Sequence, residues 1–405
     1  MPEPISDGRP SVVCVSGRRV VDVMAAMDVR TVLLGDPTPI DLACAVDVPM
    51  DLDLDDWPGT EAAVRWLHDA RPLDAVLSVY DPYLPLASYL AARLDVAGLA
   101  LPAALNCDNK LRMRLTLEGG GIAGPAYAVV GDPDEAEAAA RRLGYPVLVK
   151  KITAAGGRGT LLCRTPGEVA GAVTALHGEA NPNLLVEEFV DGPEYAVQTV
   201  TSAGVTEVIS ILAQHSATGA RPVETGYDFP SGLGDQGEEA LGRFVGEALR
   251  VLGFDSGIAH TQVRFGRSGP IVINVSARPP GGLLCAVTEA VSGVDMVRAA
   301  VEVVLGRPVT RRAPVAGYAR YRCVTFDVAG AVGYDARALA EAGEGTVSPV
   351  VSMDVEPGEE VLPVDHLDGG VYGRIVIYAD SEAELAPAYQ RVADALRLRV
   401  DQTSA

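Results

Sequence analysis

Lysine is almost absent from this chain of 405 residues: Lys110, Lys150 and Lys151 are the only three, against 30 arginines. A positive surface is missing as well. There are 54 acidic residues against 33 basic ones, and the formal net charge is −21. Such a surface repels nucleic acid and anionic membrane, so neither is expected as a partner. Aromatic residues make up only 5%, so cores must come from aliphatic residues, and an apolar share of 48% is enough for that. The six cysteines (Cys14, Cys44, Cys107, Cys163, Cys285 and Cys323) lie far apart and form no Cys-x-x-Cys pair. They read as small buried hydrophobes in a reducing compartment, not as a disulfide frame or zinc site. No uninterrupted apolar run reaches membrane-spanning length. The opening MPEPISDGRP shows neither a basic n-region nor an apolar h-region, and a cytoplasmic location is expected. The Asp-rich stretch from Asp47 to Asp56 has no metal-loop spacing and reads as a solvated segment.

The lysines stand in two places. Lys110 follows Asp108-Asn109 ahead of a helix-like stretch. Lys150 and Lys151 end an apolar strand and precede Ala154-Ala155-Gly156-Gly157-Arg158-Gly159. Lysine is a compact point charge and arginine a planar fork, so the two are not interchangeable at a phosphate. Lysines flanking a glycine-rich loop predict a polyphosphate cradle.

The first hundred residues alternate short buried strands (Ser11 to Val15, Val29 to Leu34, Ala75 to Val79) with helices. That pattern predicts a parallel, doubly wound sheet. No Gly-x-Gly-x-x-Gly follows the first strand, so a dinucleotide site is not expected there. Further on, strands and helices mix: a helix over Leu111 to Glu118, strands over Val147 to Lys150, Asn183 to Val190 and Glu194 to Thr201, and a hairpin turning at Arg267-Ser268-Gly269.

In this order the motifs resemble those of the ATP-grasp superfamily, in its carboxylate–amine ligase branch, with biotin carboxylase and D-alanine–D-alanine ligase as more distant relatives. The resemblance implies an α/β (α+β grasp) fold. Residues 1–105 resemble an N-terminal parallel-sheet pre-grasp domain. Residues 106–310 resemble the two-lobed grasp domain, with a small lobe over 106–187 and a large lobe over 188–310. Residues 311–405 resemble a C-terminal lid-side α+β domain. It implies that Lys110 and Lys150 reach the phosphates of ATP, and that Gly156, Gly157, Arg158 and Gly159 belong to a loop folding over them. Glu187, Glu188, Phe189 and Val190 resemble the hinge, whose backbone pairs with the adenine edge and whose carboxylate often holds ribose hydroxyls. Glu194 matches a further acid on the ribose side. Glu224 resembles a substrate-side residue. Arg278 with Gly281 and Gly282 resembles a segment whose arginine grips a carboxylate or the transferring phosphoryl group, a catalytic and substrate-binding position suited to a bidentate fork.

The metal constellation departs from the family pattern. Gln262, Asn274 and Ser276 occupy positions where the family has two glutamates and an asparagine. Magnesium prefers anionic oxygen, and these residues offer amide and hydroxyl oxygens only, so a magnesium site is not expected from them. Two unit charges about 4 Å apart at an effective dielectric near 20 interact by about 4 kcal/mol. Losing two carboxylates beside a triphosphate therefore weakens metal binding and reduces repulsion of the anion. Two functions stay open. One is an ATP-dependent ligase joining a small carboxylate to an amine through an acyl phosphate. The other is a repurposed grasp fold that binds a nucleotide or other anion without magnesium, as a regulatory or partner protein or as catalyst of a reaction needing no ATP. A homodimer is compatible with either.

Overall fold

The structure, a computed structural model, describes residues 8–153, 159–177, 183–338, 349–366 and 368–401. It is built on four sheets. The first holds β1 (Ser11–Val15), β2 (Arg30–Gly35), β3 (Val48–Asp51) and β4 (Ala75–Leu77), all parallel, in the order β3-β2-β1-β4. β1 and β2 are buried along their whole length, as a parallel sheet covered on both faces requires. Val13, Val15, Val32 and Leu34 pack under the helices Trp57–Ala70 and Leu84–Leu94. Val12, Cys14 and Leu33 pack on the other side against the helices Arg18–Ala25 and Met296–Val304. That second contact ties the N-terminal unit to the middle of the chain.

The second sheet is antiparallel and comprises β5 (Tyr127–Val130), β6 (Val147–Lys151), β7 (Thr160–Cys163) and β8 (Leu184–Glu188), in the order β5-β8-β6-β7. Helices Pro133–Leu143 and Pro166–Leu176 cover one face. Both start where a side chain satisfies an open backbone N–H, Asp132 accepting from Glu135 and Thr165 from Glu168.

The third sheet has eight strands: β9 (Glu194–Ser202), β10 (Val205–Thr218), β11 (Pro222–Phe229), β12 (Gly257–Gly266), β13 (Gly269–Ser276), β14 (Tyr318–Val324), β16 (Val350–Met353) and β18 (Gly373–Ala379). Their order is β13-β12-β9-β10-β11-β14-β18-β16, so strands from beyond residue 311 complete the same sheet. β15 (Gly330–Gly333), β17 (Glu360–Val361) and β19 (Arg399–Asp401) form a small fourth sheet. Helix Gly234–Leu252 buries Leu241, Val245, Leu249 and Leu252 against one side of the large sheet, and helix Leu284–Ser292 covers another part. The α/β class and the parallel N-terminal sheet match the sequence reading.

The turn from β8 to β9 requires Gly192, with φ at +146°; a Cβ there would lie 2.1 Å from the Phe265 carbonyl oxygen. No helix among the described residues is long and apolar enough to cross a membrane.

Candidate functional site

The lysine cradle is assembled by caps and register. Helix Leu101–Asp108 ends at Asn109, and Asn109 Oδ1 then accepts from the Arg112 N–H at 2.9 Å to start helix Lys110–Gly119. Lys110 is thereby the first helical residue. Its backbone N–H donates to Ile152 O at 3.0 Å, which fastens it beside the end of β6. On β6, side chains alternate between faces. Lys150 is buried and Lys151 exposed, so only Lys150 joins Lys110 in the pocket. Lys150 pairs with Leu185 across the strands, which puts Glu187 diagonally beside it on the same face.

Lys150 Nζ donates to Glu187 Oε2 at 2.5 Å. Arg114 Nε donates to Glu187 Oε1 at 2.7 Å, and its Nη2 donates to Ile273 O at 2.6 Å. Arg114 lies four residues beyond Lys110, on the same helix face. Burial alone pushes the Glu187 carboxyl up, but Arg114 and Lys150 overcome this and hold it at about 2. Burial lowers Lys110 to about 8, with Lys150 and Arg114 repelling its charge, and burial likewise lowers Lys150. Asp108, raised chiefly by burial, lies near Lys110. Three cations thus face two carboxylates, and a buried excess of positive charge calls for an anion. The Glu187 carboxylate is committed to two cations.

The hinge acids are also engaged. Glu188 Oε1 accepts from the Ala126 N–H at 3.0 Å. Glu194 accepts from Arg264 Nη2 at 2.7 Å and from Gln214 Nε2 at 3.1 Å. Arg264 also donates to Val190 O at 2.9 Å and lies 5.0 Å over the Phe189 ring. One arginine therefore fixes Phe189, Val190 and Glu194 together.

Most of these groups, but not Arg114, line a cavity of about 960 Å³ between the N-terminal sheet, the four-stranded antiparallel sheet and the large sheet. Its volume falls at the upper end of small-molecule sites. Lys110, Lys150, Glu187, Glu188, Phe189 and Val190 form one part of the wall. Glu194, Glu224, Arg278, Gly281 and Gly282 form another, with Gln262, Asn274 and Ser276 beside them. Gly159, with φ at +78°, precedes the lining residue Thr160. Gly156, Gly157 and Arg158 lie outside the described residues.

Glu224 accepts from Tyr227 Oη at 2.7 Å and from Gln262 Nε2 at 3.0 Å. Burial raises its pKa, and Glu194 adds to the shift. Burial pushes His260 down to about 3, with Arg278 adding to it, so the imidazole is neutral at physiological pH. Its Nδ1 lies 2.9 Å from Gln198 Nε2.

Gln262 and Asn274 pair directly across β12 and β13, and His260 pairs with Ser276. The side-chain nitrogen of Gln262 points at acceptors: Glu224, Gln214 Oε1 at 3.3 Å and Glu194 Oε1 at 3.5 Å. Asn274 Nδ2 donates to Ser276 Oγ at 3.5 Å. A donor nitrogen facing two carboxylates stands where a divalent cation needs an anionic oxygen. This donor set does not fit magnesium. No group of three or more His, Cys, Asp or Glu among the described residues is arranged to hold a metal.

Sequence reasoning missed Arg114, Arg264 and Asp81. The i, i+4 spacing from Lys110 was the one available signal for Arg114. Asp81 meets Arg278 across 197 residues, with Nε at 2.7 Å and Nη2 at 2.6 Å from its Oδ2.

Residues 143–287 match the family described as ATP-grasp domain. Over 390 residues the chain is 24% identical to the uncharacterized protein y4rH of Sinorhizobium fredii, covering 94% of this chain and 80% of that one. It is 27% identical over 240 residues to dapdiamide A synthase of Enterobacter agglomerans, a match covering 53% of this chain and 55% of the synthase. The crystal structure of an L-amino acid ligase from Bacillus licheniformis superposes with a TM-score of 0.79 at 21% identity, covering 97% of this chain and 99% of that one. Family match and shared fold agree that residues 143–287 of this chain carry an ATP-grasp domain.

Proposed function

We propose that the chain binds ATP in the lysine cradle and joins a small carboxylate, an amino acid or a similar acid, to an amine. The observation that carries this reading is the cluster of Lys110, Arg114 and Lys150 at Glu187, of which Lys110, Lys150 and Glu187 line the same cavity as Glu224 and Arg278. A substrate carboxylate oxygen would attack the γ-phosphorus, the bond from that phosphorus to the β-γ bridging oxygen would break, and ADP would leave. The amine nitrogen would then attack the acyl carbon, phosphate would depart, and the nitrogen would lose its proton to solvent. Transfer of this kind depends on positioning and charge neutralisation. Lys110 and Lys150 would hold the phosphate oxygens, and Arg278 would offer its fork to the transferring group. The names of the similar proteins, an L-amino acid ligase and dapdiamide A synthase, support this class of reaction. The test is ADP release with a panel of amino acids and small acids, with and without amines. Release that requires both substrates is the predicted outcome. A protein that binds nucleotide but yields no ADP with any pair overturns the ligase reading.

One observation favours a second reading: Gln262 donates to Glu224 where a metal-binding carboxylate is usual for the family the sequence resembles. On that reading the pocket takes a nucleotide or another anion without magnesium, as a regulatory or partner protein or for a reaction needing no ATP. Calorimetric titration of ATP in EDTA tests this reading, which requires binding without the metal, and ADP release separates it from the ligase reading.

A further inference from the structure

Asp81 belongs to neither the cradle nor the hinge. It follows β4, at the C-terminal end of the parallel sheet, where ligands of doubly wound sheets gather. Its turn is pinned on both sides. Ser78 Oγ donates to Val15 O at 2.9 Å and accepts from the Tyr80 N–H at 3.2 Å. The Tyr80 ring packs so closely on Gly17 that a Cβ at Gly17 would lie 2.9 Å from Tyr80 Cε2. Arg278 is held just as firmly from the other side. It precedes Pro279 and Pro280, and its Nη1 donates to Pro279 O at 2.8 Å. The side edge of the guanidinium, Nε with Nη2, can grip an oxyanion in a fork. Asp81 Oδ2 occupies that edge. Both side chains are more than four-fifths buried, so the pair is less screened than one in open water.

We propose that Asp81 sets the ligand specificity of Arg278: it sits on the fork as an internal carboxylate, and only an anion that outcompetes a single carboxylate displaces it. Exchanging Asp81 for a monoanionic carboxylate leaves the charge on Arg278 unchanged and strands Asp81 without its partner. A phosphoryl dianion brings one more negative charge and a third oxygen. Arg278 is thereby reserved for the phosphoryl group, and a free acid is kept off it until phosphate is attached. This deepens the ligase reading, from which it takes Arg278 as an anion-gripping residue. Its test uses binding and not turnover, so the two can fail separately.

The experiment is calorimetric titration of inorganic phosphate and of acetate into the full chain as wild type, D81N, R278Q and the double variant. Wild type should prefer phosphate. D81N should bind acetate roughly tenfold more tightly, the scale of one charge-assisted hydrogen bond, and narrow the gap to phosphate. The gain should vanish in the double variant, as a coupled pair requires. If Asp81 only braces the fold, D81N lowers the melting temperature and gains no acetate affinity, which overturns the proposal. Should D81N not fold, D81E moves the carboxylate by one methylene. A smaller gain in acetate affinity then supports the proposal, and an unchanged or weaker affinity overturns it. ADP release measured on wild type reports on the ligase reading alone.

Discussion

Glu187 is the residue on which the cradle turns. It is fully buried, and it neutralises Arg114 and Lys150 at once. Removing one member of a buried ionic group leaves its partners uncompensated, at about 3–5 kcal/mol. E187Q should therefore lower stability by about that much in urea unfolding, while raising affinity for phosphate, since two cations lose their internal anion. A stability loss below about 1 kcal/mol would show that the group is better hydrated than its burial implies. The pH response follows from the same site. Glu187 has a folded pKa near 2, below its ordinary 4.5. Its contribution is whole above pH 4.5 and is lost as pH falls towards 2. Lys110 runs the other way for ligands. Its folded pKa is near 8, so its charge fades above that pH. Phosphate or nucleotide affinity should fall between pH 7 and 9 by Lys110 deprotonation, and K110R should flatten the profile. Lys110 and Lys150 could be picked out of the sequence because lysine is so rare in it. Arg114 could not, because it is one arginine among 30 and its partner Glu187 is 73 residues away.

At the scale of elements, the hairpin of β12 and β13 carries Gln262, Asn274 and Ser276, where the sequence resemblance implies metal ligands. The sequence already marked its turn at Arg267-Ser268-Gly269 and the odd residue types along it. It did not reveal that Gln262 bridges Glu224 and Glu194, because those acids come from β11 and β9. The two strands β10 and β11 were not recognised in the sequence. An extra residue, Ile209, shifts the register of β10 against β9, and another, Thr225, shifts β11 against β10, so alternation changes parity along both strands. The hairpin itself makes a direct prediction. The double substitution Q262E with N274E places two new carboxylates next to Glu224 and Glu194. Without metal the variant should melt at a lower temperature than wild type. Added magnesium should raise its melting temperature by mass action, with little effect on wild type. No magnesium-dependent shift in the variant would mean that the hairpin geometry itself, and not only its charge, has left the metal-binding form.

At the scale of the molecule, a chain of net charge −21 places a cluster of cations at one cavity. Lys110 and Lys150 line that cavity, and Arg114 backs them through Glu187. The N-terminal sheet contributes Asp81, the antiparallel sheet Lys150 and Glu187, and the large sheet Glu194, Glu224 and Gln262. The parallel N-terminal sheet followed from simple alternation of strands and helices. The convergence did not, because it depends on contacts such as Arg278 with Asp81, which join residues 197 apart. On the proposed function this pocket holds a polyphosphate although Gln262, Asn274 and Ser276, where the sequence resemblance implies metal ligands, offer no carboxylate. Calorimetric titration of ATP in EDTA and in magnesium, on wild type and on Lys150→Ala, tests it most directly. The account predicts binding in EDTA within a few-fold of that in magnesium, and its loss in Lys150→Ala. Binding that appears only with magnesium, or that survives in Lys150→Ala, would contradict it.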